Sequence, residues 1–530
     1  MSATKEVPGT VRLFADSGEL LQTKVELVPK PSHHAEDPLN WSRTRNFTFI
    51  GAISTSVLFS IYTQLAEETN LTLDQLVAGS GYSYWAIGFS NIFFQPLSLA
   101  IGKRPVLVLC NLAGALLTIW TVYNSGNATW IVSRLLIGLT SGPSFCLIEV
   151  VIADVRALPL GLYVCVLYTG AVIGPLIGGF VFEGLGWKGV IWLSVGLQVL
   201  TTIVMICFFE ETNFSRKEPT IALQVMPDLN PYNAAKHLSP ISPDETKNDT
   251  THQIQVEPVL PNEHRPVWGK PKFRHFFTVS PYAAHIMKRG LIQPFLMMRL
   301  PLVWWCGVMY GIYQVYFNLF GSLSSGVLAF PPYDFSTSAI GLTFLGPLLS
   351  GVPSAVLSGW LCDAFSLKQA RKNYGISEPE HKLKLYIVPA VLTPIGLIMM
   401  GLGPYYGAHW LVYVAGEFVL NLAGPVATLL IITYAFDSFH SIDPDDSQGP
   451  KAAAQDSAPY FSAIILIAMS ITFAFGYATT PWTFGWSFKL FAITAAIGGT
   501  ILNATVLLIM RYGKRLRADG EQYYRKVINW

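Results

Sequence analysis

The amino-acid sequence predicts an all-α membrane protein that crosses the bilayer twelve times, as two sets of six helices. Three observations carry that prediction. Of 530 residues, 51% are apolar and only 13% charged, against about 25% charged in an ordinary soluble domain. Twelve apolar runs reach the roughly 20 residues that a helix needs to cross hydrocarbon: 47–66, 77–99, 105–123, 129–152, 159–182, 187–209, 300–321, 338–361, 384–403, 409–436, 458–479 and 486–510. Between the sixth and seventh runs lies a polar stretch rich in Pro, Asp, Asn, Lys and His with no run of its own, so the chain divides into halves.

The runs fix the expected organisation: an N-terminal tail 1–46, a six-helix bundle 47–209, a mostly disordered linker 210–290, a second bundle 291–511 and a tail 512–530. The first run is long enough to span and reads as an uncleaved anchor. Lys and Arg set the orientation. With the N-terminus inside, Lys103, Arg104, Arg156, the linker, Lys368, Arg371, Lys372, Lys382, Lys384 and the tail residues Arg511, Lys514, Arg515 and Arg517 all fall on the cytoplasmic side, leaving Lys188 and Lys489 near outer helix ends. Both termini are therefore expected in the cytoplasm. The glycosylation sequons at Asn70 and Asn127 then lie in outer loops, as the modification requires.

Several classes are excluded. A net charge of +2 offers no basic face for nucleic acid. Six widely spaced cysteines have neither metal-ligand nor disulfide spacing and read as small buried hydrophobes. The ten histidines lie outside the runs or at an edge, so no metal or cofactor site is expected. There is no nucleophile elbow and no phosphate-binding Gly-rich loop, which argues against an enzyme and against ATP drive.

Charge in hydrocarbon is costly, so ionisable groups inside the runs are functional candidates. Arg134 lies early in the fourth run, Glu149 toward its inner end, and Glu417 well inside the tenth. Each reads either as a proton or substrate group facing a central cavity, or as half of an interhelical ion pair. Gln64, Asn91, Gln95, Gln314, Asn318 and Asn421 add neutral polar groups that face a cavity or bond between helices. Asp154 and Asp437 at helix ends read as loop-locking or capping residues. The fifth run carries Gly170, Gly174 and Gly178 on one face, with Pro175 and Gly179. Small residues permit close helix approach and proline invites a kink, so this helix suits either rocking between two halves or static packing.

That glycine-proline run resembles the fifth-helix antiporter motif of the major facilitator superfamily. Arg134 with Gly138 resembles its fourth-helix motif, whose arginine is linked to proton coupling. Gly102-Lys103-Arg104 resembles the end of its loop between helices two and three, and Gly359 to Asp363 with Lys368 and Arg371 repeats that loop in the second half. A narrower likeness is to fungal twelve-spanner drug:proton antiporters, carried by Val7 to Val11, Asp37 to Trp41, Phe209 to Asn213, Ala370 to Ile376 and Tyr434 to Asp437. The chain departs from the pattern at Leu99, where an aspartate is usual, at Phe145, where an acidic residue is usual, at Ala157 to Gly161, in an eleventh run without a basic residue, and in a polar insertion at about 438–457. The resemblance implies two pseudo-symmetric six-helix bundles in the major facilitator fold and a monomeric carrier in the cell membrane. It implies export of a drug, toxin or secondary metabolite against an inward proton flow. Uptake of a polyamine, siderophore or other nutrient by the same fold stays open, as does a receptor built on it.

Overall fold

The computed structural model describes residues 9–12, 61–69, 71–124, 126–155, 158–208, 279–280, 282–374, 376–439, 451–485 and 487–528. Of the first expected run only its end is described, as α1 (Tyr62–Thr69). The chain then forms α2 (Leu73–Ile101), opened by a capping box between Thr72 and Gln75, α3 (Lys103–Thr121) and α4 (Asn127–Val155). The continuous stretch α5 (Leu158–Phe208) holds two passes, because Gly186 at φ 66° and ψ −177° turns the chain inside it, a conformation only glycine adopts without strain.

The second half opens with α6 (Ala283–Met297), which meets α7 (Pro301–Leu328) at 89°. The eighth pass, Thr337–Lys372, is segmented into α8 (Thr337–Thr343), α9 (Leu345–Leu349), α10 (Gly351–Val356), a π-turn (Leu357–Leu361) and α11 (Cys362–Lys372). Pro347 in α9 and Pro353 in α10 each remove a backbone donor there. After α12 (Pro379–Leu383) come α13 (Ile387–Tyr405), α14 (Trp410–Phe439), α15 (Lys451–Thr480) and α16 (Phe488–Ile528).

By length and hydropathy alone, seven stretches among the described residues could cross a membrane, or eight with the bent pair α6–α7. The stretch Tyr168–Cys207 counts once there although Gly186 reverses the chain within it. The helices described accord with twelve passes in two sets of six.

The halves meet along two glycine seams toward the end of the bundle away from Lys103 and Arg104, and again near the basic end, where α6 packs on α2 and a Cβ on Gly290 would lie 2.3 Å from Pro96 Cβ. On one, α2 packs against α15, and a Cβ on Gly476 would lie 2.9 Å from the Cα of Gly81. The Tyr477 hydroxyl bonds that of Tyr82 across the same seam. On the other, α5 packs against α8. A Cβ on Gly179 would lie 2.6 Å from the Thr337 carbonyl oxygen, and Glu183 accepts the Ser338 N–H at 3.0 Å. Inside the second half, α7 is buried on every face from Met309 to Leu328 apart from Phe317, as an all-round apolar helix must be.

The opposite, basic end is tied by charge. Glu380 accepts two hydrogen bonds from the buried Arg517, Nε to Oε1 at 3.0 Å and Nη2 to Oε2 at 2.7 Å. Lys382 pairs with Asp437 at 2.5 Å and Lys514 with Glu378 at 2.5 Å. The N-terminal strand β1 (Val11–Arg12) joins this end, pairing antiparallel with β2 (Ile376–Ser377).

Two boundaries differ from expectation. The linker expected to reach residue 290 gives way to α6 at Ala283, because Gln293, Pro294 and Met297 bury one face of that helix. The tail expected from 512 continues α16 to Ile528, because Gly513, Arg517, Gly520, Glu521, Tyr524 and Val527 recur at helical spacing and are buried. An amphipathic helix escapes a hydropathy reading, since half of its surface is polar.

The seams predict a specific sensitivity. Gly476→Ala drives a methyl into the Gly81 backbone and is expected to cost about 1–3 kcal/mol, read as a lower melting temperature of the purified protein. Gly498→Ala, which meets nothing within 4 Å, is expected to show no loss.

Candidate functional site

In the first half the site is built on α4 and its neighbours. Arg134 stands one turn after Trp130, and its guanidinium lies 4.1 Å from the centroid of that buried ring. The stack satisfies the cation's face through the ring quadrupole but supplies no counter-charge. Gly138, one turn further, admits α2: a Cβ there would lie 2.3 Å from the Ser83 carbonyl oxygen. Ser83 Oγ in turn donates to the Arg134 carbonyl oxygen at 3.0 Å. The arginine-glycine spacing thus seats the helix on its neighbour while holding the guanidinium. Arg134 is half-buried, its Nε is buried without a hydrogen-bond partner, and no carboxylate among the described residues pairs with it.

Tyr62 of α1 lies within electrostatic reach of Arg134, and its hydroxyl shares a 2.6 Å hydrogen bond with Ser80 Oγ. Gln64, two residues on, is half-buried with Oε1 unpartnered. On α2, both amide atoms of Asn91 and of Gln95 are buried and unpartnered.

In the second half Glu417 of α14 is fully buried. Ser324 of α7 donates to its Oε1 at 2.5 Å, and its Oε2 has no partner. One turn back, the buried Tyr413 hydroxyl is also unpartnered. Gln314 and Asn318 lie one turn apart on α7, both buried, with Asn318 Oδ1 unpartnered. Asn421 is a structural tie, donating to the Pro347 carbonyl and to Ser350 Oγ, each at 2.8 Å. No hydrogen bond or ion pair among the described residues joins Arg134 to Glu417: each half carries its own ionisable group.

Gly170, Gly174, Pro175, Gly178 and Gly179 are buried in α5, and Gly179 forms the seam with Thr337 and Gly341. Tyr168, just before that run, went unnoticed in the sequence. Its hydroxyl shares a 3.1 Å hydrogen bond with Thr428 of α14, and its ring meets Phe317 of α7 at 5.3 Å. Only its place two residues before Gly170 could have pointed to it.

The loop motifs sit at the basic end. Gly102 has φ 106°, Lys103 and Arg104 are buried, and Arg104 Nη2 donates to the Ile206 carbonyl at 2.6 Å. Gly359 lies in the π-turn and Arg371 is exposed near the end of α11. The side chains of Glu149 and Asp363, and Asn70, lie outside the described residues. Asn127 opens α4, half-buried. Among the described residues no three His, Cys, Asp or Glu side chains cluster as metal ligands.

A family model described as the Major Facilitator Superfamily matches residues 47–449. Protein HOL1 of Saccharomyces cerevisiae is 23% identical, over 99% of this chain and 97% of its own. The MFS-type transporter hepF of Aspergillus oryzae is 23% identical, over 91% of this chain and 92% of its own. Among solved structures, the human organic anion transporter MFSD10 (TETRAN) aligns with 87% of this chain and 95% of its own, at 15% identity and a TM-score of 0.46.

The orphaned amides set a test. Asn421→Leu leaves its acceptors unanswered and is expected to cost about 1–3 kcal/mol, lowering the melting temperature. Asn91→Leu removes an unpartnered amide and is expected to leave that temperature equal or higher. A matching loss at position 91 would mean that its amide is bonded after all.

Proposed function

The chain belongs to the Major Facilitator Superfamily, and from that premise we propose that it is a proton-coupled secondary transporter that expels small organic molecules by alternating access. The first half, 47–209, and the second, from α6 to the end of α16, rock about a central path, with both termini in the cytoplasm and the protein working as a monomer in the cell membrane. One observation carries the reading: each half holds an ionisable side chain with no ion-pair partner among the described residues, Arg134 in α4 and Glu417 in α14. A charge at the centre of a membrane helix costs about 2.5–3.5 kcal/mol on insertion scales. A purely structural role would answer each charge with the other.

In this cycle Glu417 takes a proton from the outer side, carries it as the halves rock, and releases it inside. Arg134, with Tyr62 and Gln64 beside it, supplies polar contacts to the substrate from the first half, and Gln314 and Asn318 supply them from the second. One charge moving down the membrane potential yields about 2.3 kcal/mol per 100 mV, enough for modest accumulation without ATP. The antiporter-like run around Pro175 favours export, and the Gly179 seam gives that run a surface on which to rock.

The reading is tested in proteoliposomes loaded with a panel of fluorescent organic dyes. An imposed proton gradient is expected to drive dye movement against the proton flow, and an uncoupler to abolish it. Glu417→Gln is expected to keep dye exchange down its own gradient but to lose the response to protons. Flux indifferent to the uncoupler, or a Glu417→Gln variant still driven by the gradient, would contradict the assignment.

A further inference from the structure

We propose that α6, together with the end of α16, forms a binding surface for anionic phospholipid headgroups at the basic end of the protein. The inference rests on the membrane-spanning reading and is independent of transport direction and coupling.

The 89° bend between α6 and α7 sets α6 across the axis of the seventh pass, which on the membrane-spanning reading lays it along the bilayer surface. One face of α6 is buried: Gln293, Pro294 and Met297 pack inward, and Gln293 Nε2 donates to the Val527 carbonyl at 2.8 Å. The Tyr523 hydroxyl donates to the Leu296 carbonyl at 3.0 Å, fixing the end of α16 over the same helix. The other face is exposed. Its stripe runs Ala284, Lys288, Leu291, Phe295, at helical spacing, with Ile292 beside it. Phe295 is 51% exposed, and so is Trp304 at the start of α7, whose indole N–H donates to the Met298 carbonyl at 2.7 Å. An apolar stripe continuous with a tryptophan at a span's entrance is the pattern of a helix half-sunk at the lipid boundary.

Charge then names the occupant. Lys288, Arg299 and Lys526 are exposed and Arg289 is half-buried. Among the described residues none of the four has a carboxylate partner. Arg299 lies 5.4 Å from the Tyr523 ring, which brings the turn after α6 against α16. α6 contains no acidic residue. On α16, Glu521 is already taken by Arg525 at 3.0 Å, and Asp519 stands two turns back from Lys526. Unpaired cations beside an exposed apolar stripe fit a ligand that is anionic at one end and apolar along its length. A soluble polyanion would leave Leu291, Ile292 and Phe295 in water, whereas an anionic phospholipid answers both halves of the surface. Lys288, within the stripe, can extend its stem along the acyl boundary and keep its ammonium at headgroup level.

The full-length purified protein is titrated with mixed micelles containing phosphatidylserine or phosphatidylcholine of identical chains, and the melting temperature and lipid affinity are read. Phosphatidylserine is expected to raise the melting temperature while phosphatidylcholine does not. The preference is expected to vanish near 0.5 M salt, where screening is short-ranged (about 3 Å at 1 M). Combining Lys288→Gln, Arg289→Gln, Arg299→Gln and Lys526→Gln is expected to remove the preference, with affinity falling about fivefold per cation. Equal effects of the two lipids, a preference that survives high salt, or glycerophosphoserine without acyl chains matching the lipid would each overturn the proposal. The salt comparison uses the unaltered protein, so it decides the matter even if the combined variant does not fold.

Discussion

Hydrocarbon supplies no hydrogen-bond partner, and the rest of the structure follows from that single constraint. Each pass must satisfy its backbone internally, so each is a helix, and each polar side chain within a pass must be answered by protein or retained for use. Most are answered locally. Ser90, Ser98, Thr118, Ser322 and Thr393 each donate to a carbonyl three or four residues back. Asn421 bridges two passes, and Tyr313 and Tyr386 both donate to Asn503 Oδ1. Against that background the atoms without a partner stand out: Arg134 Nε, Glu417 Oε2, both amide atoms of Asn91 and Gln95, and Asn318 Oδ1.

The same constraint explains the seams. Between helices in lipid the hydrophobic effect gives little, and close van der Waals contact must do the joining. Gly81 with Gly476 and Gly179 with Gly341 bring backbones together at two of the contacts between the halves. Backbone meets backbone at those glycines, while Tyr82 interlocks with Phe473 and Tyr477 beside the first of them and Glu183 accepts from Ser338 beside the second. The opposite end is held by another means, the buried Arg517–Glu380 pair, its neighbours Lys382–Asp437 and Lys514–Glu378, and the strand pairing of Val11–Arg12 with Ile376–Ser377. These ties lie within the second half and its N-terminal attachment, so they stiffen that half as a unit.

Much of this was legible in the sequence, because apolar run length reports directly on hydrocarbon thickness. The run read at 338–361 became a helical stretch from Thr337, and the run at 409–436 became α14 from Trp410. Amphipathic helices were less legible: α6 is only 15 residues long and carries His285, Lys288 and Arg289, and the last turns of α16 are half polar, so neither reads as a span. Pairings were less legible still. Nothing near Arg134 in the chain except Trp130 betrays its stack, and nothing near Tyr168 betrays a bond to Thr428 across 260 residues. The glycines of the fifth run announced close packing, but which helix they would meet was a tertiary fact.

The central claim is that two rigid halves shift against each other on those seams. The most direct measurement is a pair of spin-label distances in a chain whose native cysteines have been replaced. One pair spans the seam end, at Leu185→Cys and Phe330→Cys, and the other spans the basic end, at Lys103-proximal Leu99→Cys and Lys372→Cys. The account predicts that on moving from neutral to acidic pH the two distances change in opposite senses, one lengthening as the other shortens. Two distances that stay fixed, or that lengthen together, would contradict it.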